Sequence, residues 1–326
     1  MNRRTLLTLA AAPLIATPMP GQAQTLATGF DRPLRFVVPF APGGTSDILA
    51  RILAPELTRL LGQNVVVENR SGAAGNLGAE IVARSPPDGH TLLIIDCGTL
   101  ATAPALYTRL PFDPARDLAP VNLLIYAPYI LAVNPALPAR DAAELVALAR
   151  RAPQAVNVGH AGVGGSNHLV SIMLAQHWGA ELTQVPYRGG AAALAAVTGG
   201  EAQVLVNGAS PTAPFVRDGR LRGIAVSGPR RLPDLPDLPT FAELGWPAAE
   251  SGSWQGVLVA GGTPAPIVAK LDEAFRTALA IPTVAARMAN LGADVRGMPP
   301  EAFRQWLVTE TETWGRVVRA NNIKLD

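Results

Sequence analysis

Residues 34–47, LRFVVPFAPGGTSD, constrain the fold more than any other stretch. A short apolar run turns at Pro39 and Pro42, passes Gly43 and Gly44, and ends on small polar residues where an amphipathic segment begins. That order reads as strand, loop, helix start. The glycines leave the backbone bare and free to take positive φ. Thr45 or Ser46 can cap the helix, and the N–H groups of its first turn face whatever occupies the loop. Such a place suits an anion, a carboxylate included, although the same residues also make an ordinary surface turn. Neither common nucleotide fingerprint is present: there is no Gly-Lys-Ser/Thr, and Gly43-Gly44-Thr45 lacks the third glycine of the dinucleotide pattern.

The next residues extend this order into an α/β chain. Ile48, Leu49, Ile52, Leu53, Leu57, Leu60 and Leu61 recur at helical spacing, with Pro55 as a possible kink, and Gly62 ends the helix. Residues 64–68 (NVVVE) read as a buried strand, 69–75 as a second glycine-rich loop feeding a helix, and 90–96 (HTLLIID) as a third strand ending at Gly98 and Thr99. Strands and helices alternating through short links imply a parallel sheet, whose ligands bind beyond the carboxyl ends of the strands. Residues 110–120 are too rich in proline for a regular element. The apolar runs 121–125 and 129–133 mark a crossing into a second domain. There His160-Ala161-Gly162-Val163-Gly164-Gly165-Ser166 forms another strand-to-helix loop, physically like the first. Two such loops facing one another could grip both ends of a small acid. A return crossing is expected at 250–256, and the remainder reads as helical: 264–280, 282–291 and 300–319.

Export and charge narrow the function. Asn2-Arg3-Arg4, an apolar stretch over 6–16 and Gly21-Gln22-Ala23 compose a signal peptide, with cleavage expected after Ala23. The paired arginines leave both the general secretory and the twin-arginine route open. Lys+Arg of 27 against Asp+Glu of 25 gives +2, and removing Arg3 and Arg4 leaves zero, so no electrostatic case exists for nucleic acid or anionic membranes. Cys97 is the only cysteine, which excludes an intrachain disulfide and a cysteine-rich metal site.

The motifs RPLRFVVPFAPGGTSDILAR, GQNVVVENRSGAAGNLGAE, PDGHTLL, LYTRLPFDPARDLAPV, VPYRGG, GRLRGIAV, LPDLPT and GTPAPIV, in this order and spacing, resemble those of the Bug-type extracytoplasmic receptors of tripartite tricarboxylate transporters. The resemblance covers almost the whole mature chain. It implies a two-domain, type II periplasmic-binding-protein-like α/β fold, two sheets flanked by helices with a ligand cleft between domains. The expected division is a signal peptide at 1–23, domain 1 at 24–127 plus 252–326, and domain 2 at 128–251. It also implies a periplasmic monomer that captures a small carboxylate and delivers it to large and small integral membrane subunits, without cofactor, metal or catalytic residue. Carried over residue by residue, the ligand contacts are Ala41, Pro42, Gly43, Gly44, Thr45 and Asp47 in the first loop, and Gly162, Gly164, Gly165, Ser166 and His168 in the second domain. Phe40, Gly98, Thr99 and Asn207 complete the expected site. Two positions depart from the family: a hydroxyl residue is usual where Gly165 stands, and an acid is common where Asn207 stands.

Several side chains carry a structural reading beside the functional one. Asp47 at a helix start is stabilised by the dipole with or without a ligand. A lone His168 is as readily a packing residue, His90 and His177 read as structural, and Phe40 and Trp254 as cleft wall or core. Arg70 and Arg188 could pair with a carboxylate but are more often solvated or bonded to loop carbonyls, and Cys97 reads as a small buried apolar residue. A hydrolase is the rival from another class. However, Ser166 and His168 lie two apart, the nucleophile elbow lacks its last glycine, and Lys270 and Lys324 are the only lysines, both C-terminal. A receptor that presents its ligand to a membrane sensor kinase needs the same cleft, and no sequence feature separates it from a transport receptor.

Overall fold

Residues 34–38 are all apolar except Arg35, and only Arg35 is not fully buried, so they form an interior parallel strand, β1 (Leu34–Val38). The structure, a computed structural model, describes residues 29–249, 251–290, 292–320 and 323. The expected signal peptide and cleavage after Ala23, and Glu250, Leu291 and Lys324, lie outside the described residues. After β1 come α1 (Thr45–Leu61), β2 (Val65–Asn69), α2 (Asn76–Ala83), β3 (Thr91–Asp96), α3 (Cys97–Leu106) and a single turn, α4 (Pro114–Asp117). The long β4 (Leu118–Val133) leads to α5 (Ala142–Arg151), β5 (Val158–His160), α6 (Ser166–Trp178), β6 (Gln184–Pro186) and α7 (Gly190–Gly199). Then follow β7 (Val204–Gly208), α8 (Ala209–Arg217), β8 (Arg222–Val226), β9 (Gly252–Ala260), α9 (Ala265–Ala280), α10 (Pro282–Asn290), β10 (Asp294–Met298) and α11 (Pro300–Ala320).

The two expected sheets are continuous through β4, which joins them in one ten-stranded sheet. Its first half runs β2-β1-β3-β9-β4-β10 and its second β6-β5-β7-β4-β8. In each half a parallel trio, β2-β1-β3 or β6-β5-β7, meets an antiparallel neighbour, β9 or β4. Strand β4 changes partner along its length: residues from Leu118 to Pro128 pair with β9, and Tyr129 to Val133 pair with β7. Apolar side chains are buried on both faces of each half, under α1 and α9 or α3 and α11 in the first, and under α5 and α6 or α7 and α8 in the second.

Four local readings change. Pro55 does not break α1, because it sits on the exposed side, where the carbonyl deprived of its partner can turn to water. The proline-rich stretch is ordered as α4 and the start of β4, with Pro120 and Pro128 inside the strand at its irregular and changeover points. Cys97, Gly98 and Thr99 open a helix, since Asp96 caps it by accepting from the Gly98 amide at 3.0 Å. Strand β10 interrupts the C-terminal helices. Helix α8, where the sequence suggests no element, has Pro211 in its first turn, where a missing N–H costs nothing.

Candidate functional site

Strands β1, β3, β5, β6 and β7 each lead at their carboxyl ends into a helix. Four of these helices start at glycine and have no side-chain cap: Gly44 for α1, Gly165 for α6, Gly189 for α7 and Gly208 for α8. Elsewhere α4 and α5 are capped by Asp113 and Asp141. The glycine-started helices therefore present first-turn N–H groups, at the positive ends of their dipoles, without a capping side chain from their own start. At Gly190 a Cβ would lie 2.3 Å from Asn207 Oδ1, so any larger residue there would push the Asn207 amide from its place on the cavity wall.

The loops of the two halves touch. The Ala41 amide donates to the Arg188 carbonyl at 3.2 Å, Thr102 Oγ1 to the Gly164 carbonyl at 3.0 Å, and the Ser166 amide to Thr99 Oγ1 at 3.4 Å. Between them lies a cavity of about 50 Å³. Of the residues expected from sequence, Phe40, Gly44, Thr45, Thr99, Gly165, Ser166 and Asn207 line it. Gly162 and Phe40 line an adjoining recess of about 280 Å³ that also carries Arg188.

Ala41, Pro42, Gly43, Gly98, Gly164, Asp47 and His168 lie off both walls. Asp47 braces the first loop: its carboxylate accepts from the Gly43 amide at 2.8 Å, from Asn69 at 3.0 Å and from Arg51. Burial pushes its pKa up, but these bonds outweigh burial and hold it below the usual carboxylate range. His168 braces the second loop, accepting at Nδ1 from the Gly164 amide at 3.1 Å and stacking on His160 at 4.2 Å. Burial, with His160 beside it, lowers His168 to about 3, and burial lowers His160 to about 4, so both are neutral near pH 7. Arg70 pairs with Glu68, Trp254 packs on Tyr126 and Trp306, and Cys97 is buried with its thiol pushed well up by desolvation.

The cavity also holds residues that no motif announced. Asp96, Tyr129, Ser253, Gln255 and Ser46 form a chain along one wall. Ser46 Oγ donates to Gln255 Oε1 at 2.7 Å, Gln255 Nε2 to Ser253 Oγ at 2.5 Å, and Ser253 Oγ to Asp96 Oδ2 at 2.8 Å. Tyr129 donates to the same Asp96 oxygen at 3.0 Å and shares a 2.7 Å bond with Ser166 Oγ. Burial raises the Asp96 pKa above its usual value, against the lowering effect of its hydrogen bonds. Lysine, arginine and histidine are missing from the cavity wall among the described residues, and no cluster of metal-ligating side chains occurs there. The wall thus offers glycine-started backbone, neutral hydroxyl and amide groups, and one buried carboxylate.

Known proteins agree with that chemistry. The tripartite tricarboxylate transporter family receptor, TctC, matches residues 49–323. A protein of the tcbD–tcbE intergenic region of Pseudomonas sp. (strain P51) is 36% identical over 95% of this chain and 92% of its own length. Protein BugT of Bordetella pertussis is 32% identical over 90% of each. Among solved structures, MatC of Rhodopseudomonas palustris with bound malate is 35% identical with a TM-score of 0.85, over 88% of this chain and 99% of that one. A second R. palustris protein, solved with adipate, is 34% identical with a TM-score of 0.86, over 90% and 99%. Such receptors are periplasmic solute-binding proteins rather than enzymes, and among the described residues no helix is long and apolar enough to cross a membrane. With the family model matched over residues 49–323 and relatives more than 30% identical over most of both chains, the chain belongs to the Bug-type receptors of the tripartite tricarboxylate transporter family.

Proposed function

We propose that this protein, exported and trimmed after Ala23, captures a small carboxylate in the periplasm and hands it to the membrane subunits of a tripartite transporter. The single observation behind this reading is the convergence of the uncapped, glycine-started helices α1, α6, α7 and α8 on a cavity without a basic side chain. Free first-turn amides bind a carboxylate where no arginine is needed. The malate and adipate seen with two similar chains are both carboxylates. Residues 24–127 with 252–326 form one rigid body and 128–251 the other, hinged where β4 changes partner at Pro128 and Tyr129. Ligand touching both bodies favours the closed arrangement, and the membrane subunits read that arrangement.

The test is a thermal-shift screen of the mature chain, starting at Gln24, against mono-, di- and tricarboxylates, amino acids and nucleotides. A compound that binds only the folded state raises the melting temperature. A rise with carboxylates, and the same compound recovered unchanged, is the expected outcome. A rise with nucleotides alone, or recovery of a converted compound, defeats the proposal.

A further inference from the structure

The wall chain ending at Asp96 has a consequence for the cargo. Capping α3 needs one oxygen, Oδ1, which accepts from the Gly98 amide. A serine, threonine or asparagine would do this without burying a charge. The second oxygen, Oδ2, instead accepts from Tyr129 on β4 and Ser253 on β9, and Asp96 keeps only 9% of its surface exposed. Ser253 is itself held as a donor toward Asp96 by the Gln255 amide, and Tyr129 by the same direction of bonding. Every bond in the network therefore runs toward the carboxylate; these bonds favour its ionised form while burial, the larger effect, raises its pKa, so a cation brought against it would complete the charge balance. Among the described residues no lysine, arginine or histidine supplies the countercharge. A buried carboxylate without a cation is costly unless the cation comes with the ligand.

We infer that Asp96, held by Tyr129 and Ser253, is the receptor for an ammonium group, and that the cargo is a small zwitterion carrying one carboxylate and one amine. This inference rests on the carboxylate reading above. The uncapped helix starts take the carboxylate, and Asp96 on the same cavity takes the ammonium. A dicarboxylate would set its second charge against Asp96. Size agrees: a cavity of about 50 Å³ holds only a few water-sized groups.

Isothermal titration of the mature full-length protein near neutral pH, with matched compounds, decides the matter. The sets are L-aspartate, L-malate and succinate; 4-aminobutyrate and glutarate; and alanine, lactate and propionate. In at least one set the amine should bind about tenfold or more tighter than its partners, the size expected of a charge-assisted hydrogen bond. Asp96→Asn keeps the helix cap, because asparagine caps as well as aspartate. It should abolish that preference while binding the plain carboxylates as well or better. If compounds bind but in no set is the amine held more tightly than its plain-carboxylate partners, the zwitterion inference falls and the carboxylate receptor stands. Amine preference surviving in Asp96→Asn removes Asp96 from the recognition. Binding by no member of any set overturns the carboxylate reading and this inference together. The wild-type selectivity is decisive even if the variant folds poorly.

Discussion

The contact between Gly98 and Ser166 offers a perturbation that separates closure from folding. Gly98 lies in the first turn of α3 and Ser166 opens α6, so the two residues face each other from opposite halves of the sheet. A Cβ on Gly98 would stand 3.0 Å from Ser166 Cβ and 3.3 Å from its Oγ. Carbon atoms in ordinary contact are about 3.5–4.0 Å apart, so Gly98→Ala obliges the halves to part by roughly 0.5–1 Å. Overpacking of this kind costs about 1–3 kcal/mol; the part against Ser166 is felt only when the halves are together, while Asp96 Oδ1, 3.2 Å from the same Cβ and in the same half, has to give by no more than a few tenths of an ångström. Within α3 itself alanine is favoured over glycine by up to about 1 kcal/mol, and the Gly98 amide that meets Asp96 is retained. The ligand-free variant should therefore melt at the wild-type temperature or a few degrees above it, while ligand affinity falls by about 5- to 150-fold. Calorimetric titration and thermal melting read the two effects, and small-angle scattering should show a smaller compaction on ligand addition than in wild type. Unchanged affinity, or a melting temperature that falls in step with affinity, would refute closure by this contact.

Other consequences follow from the loops behind the cavity. Gly44→Val meets only the Ala41 carbonyl, at 3.8 Å, so its side chain projects into the cavity; ligand binding should be lost with a melting temperature close to wild type, and retained affinity removes the first loop from the site. Ala74 is held at φ 52°, a left-handed conformation costly for alanine, so Ala74→Gly should stabilise the protein to urea by up to about 1 kcal/mol, and destabilisation would contradict the strain. The folded pKa of Asp47 is depressed, so its stabilisation is present above the ordinary carboxylate range and is lost as pH falls through the folded value. Asp47→Asn should cost about 1–2 kcal/mol near neutrality and much less near pH 3, with equal loss at both pH values as the refuting result. His160 and His168, lowered to about 4 and about 3, bind protons in the unfolded chain before the folded one, so acidification from about 6.5 toward 5 should destabilise the protein by a few kcal/mol. A urea midpoint independent of pH across that window would show that the pair titrates normally.

The glycine-rich loops were legible because their chemistry is written in backbone. A glycine before a polar helix start is visible one residue at a time, and Gly44 and Gly165 both reach the cavity wall. The loops at 189 and 207 give the same signal: Gly189 and Gly208 start helices by the same means. After Gly208, Pro211 and Pro214 weaken the helical signal that α8 nevertheless follows. Asp47 and His168 occupied the right loops yet turn away from the wall, since side-chain direction at a helix start depends on which orphan amide it meets, here Gly43 and Gly164. Spacing does not encode that choice.

Asp96, Tyr129, Ser253 and Gln255 were illegible for a different reason. They come from three strands separated by more than thirty and then more than a hundred residues, and each alone is an ordinary polar residue at the end or in the middle of an apolar run. Only the pairing of β3 and β4 with β9 brings them together, and Asp96 stands directly opposite Gln255 in that register. The division has a physical basis. An anion can be attracted by amides that any sequence possesses, so long as glycines leave them uncovered, and that part of the site is local. Discriminating one carboxylate from another needs side chains at fixed distances from those amides, and the sheet is the element rigid enough to hold them. A single hydrogen-bonded acid at the end of β3 can thus alter the preferred cargo while every glycine-rich motif stays as it is, so likeness in the motifs carries over the binding of a carboxylate but not its identity.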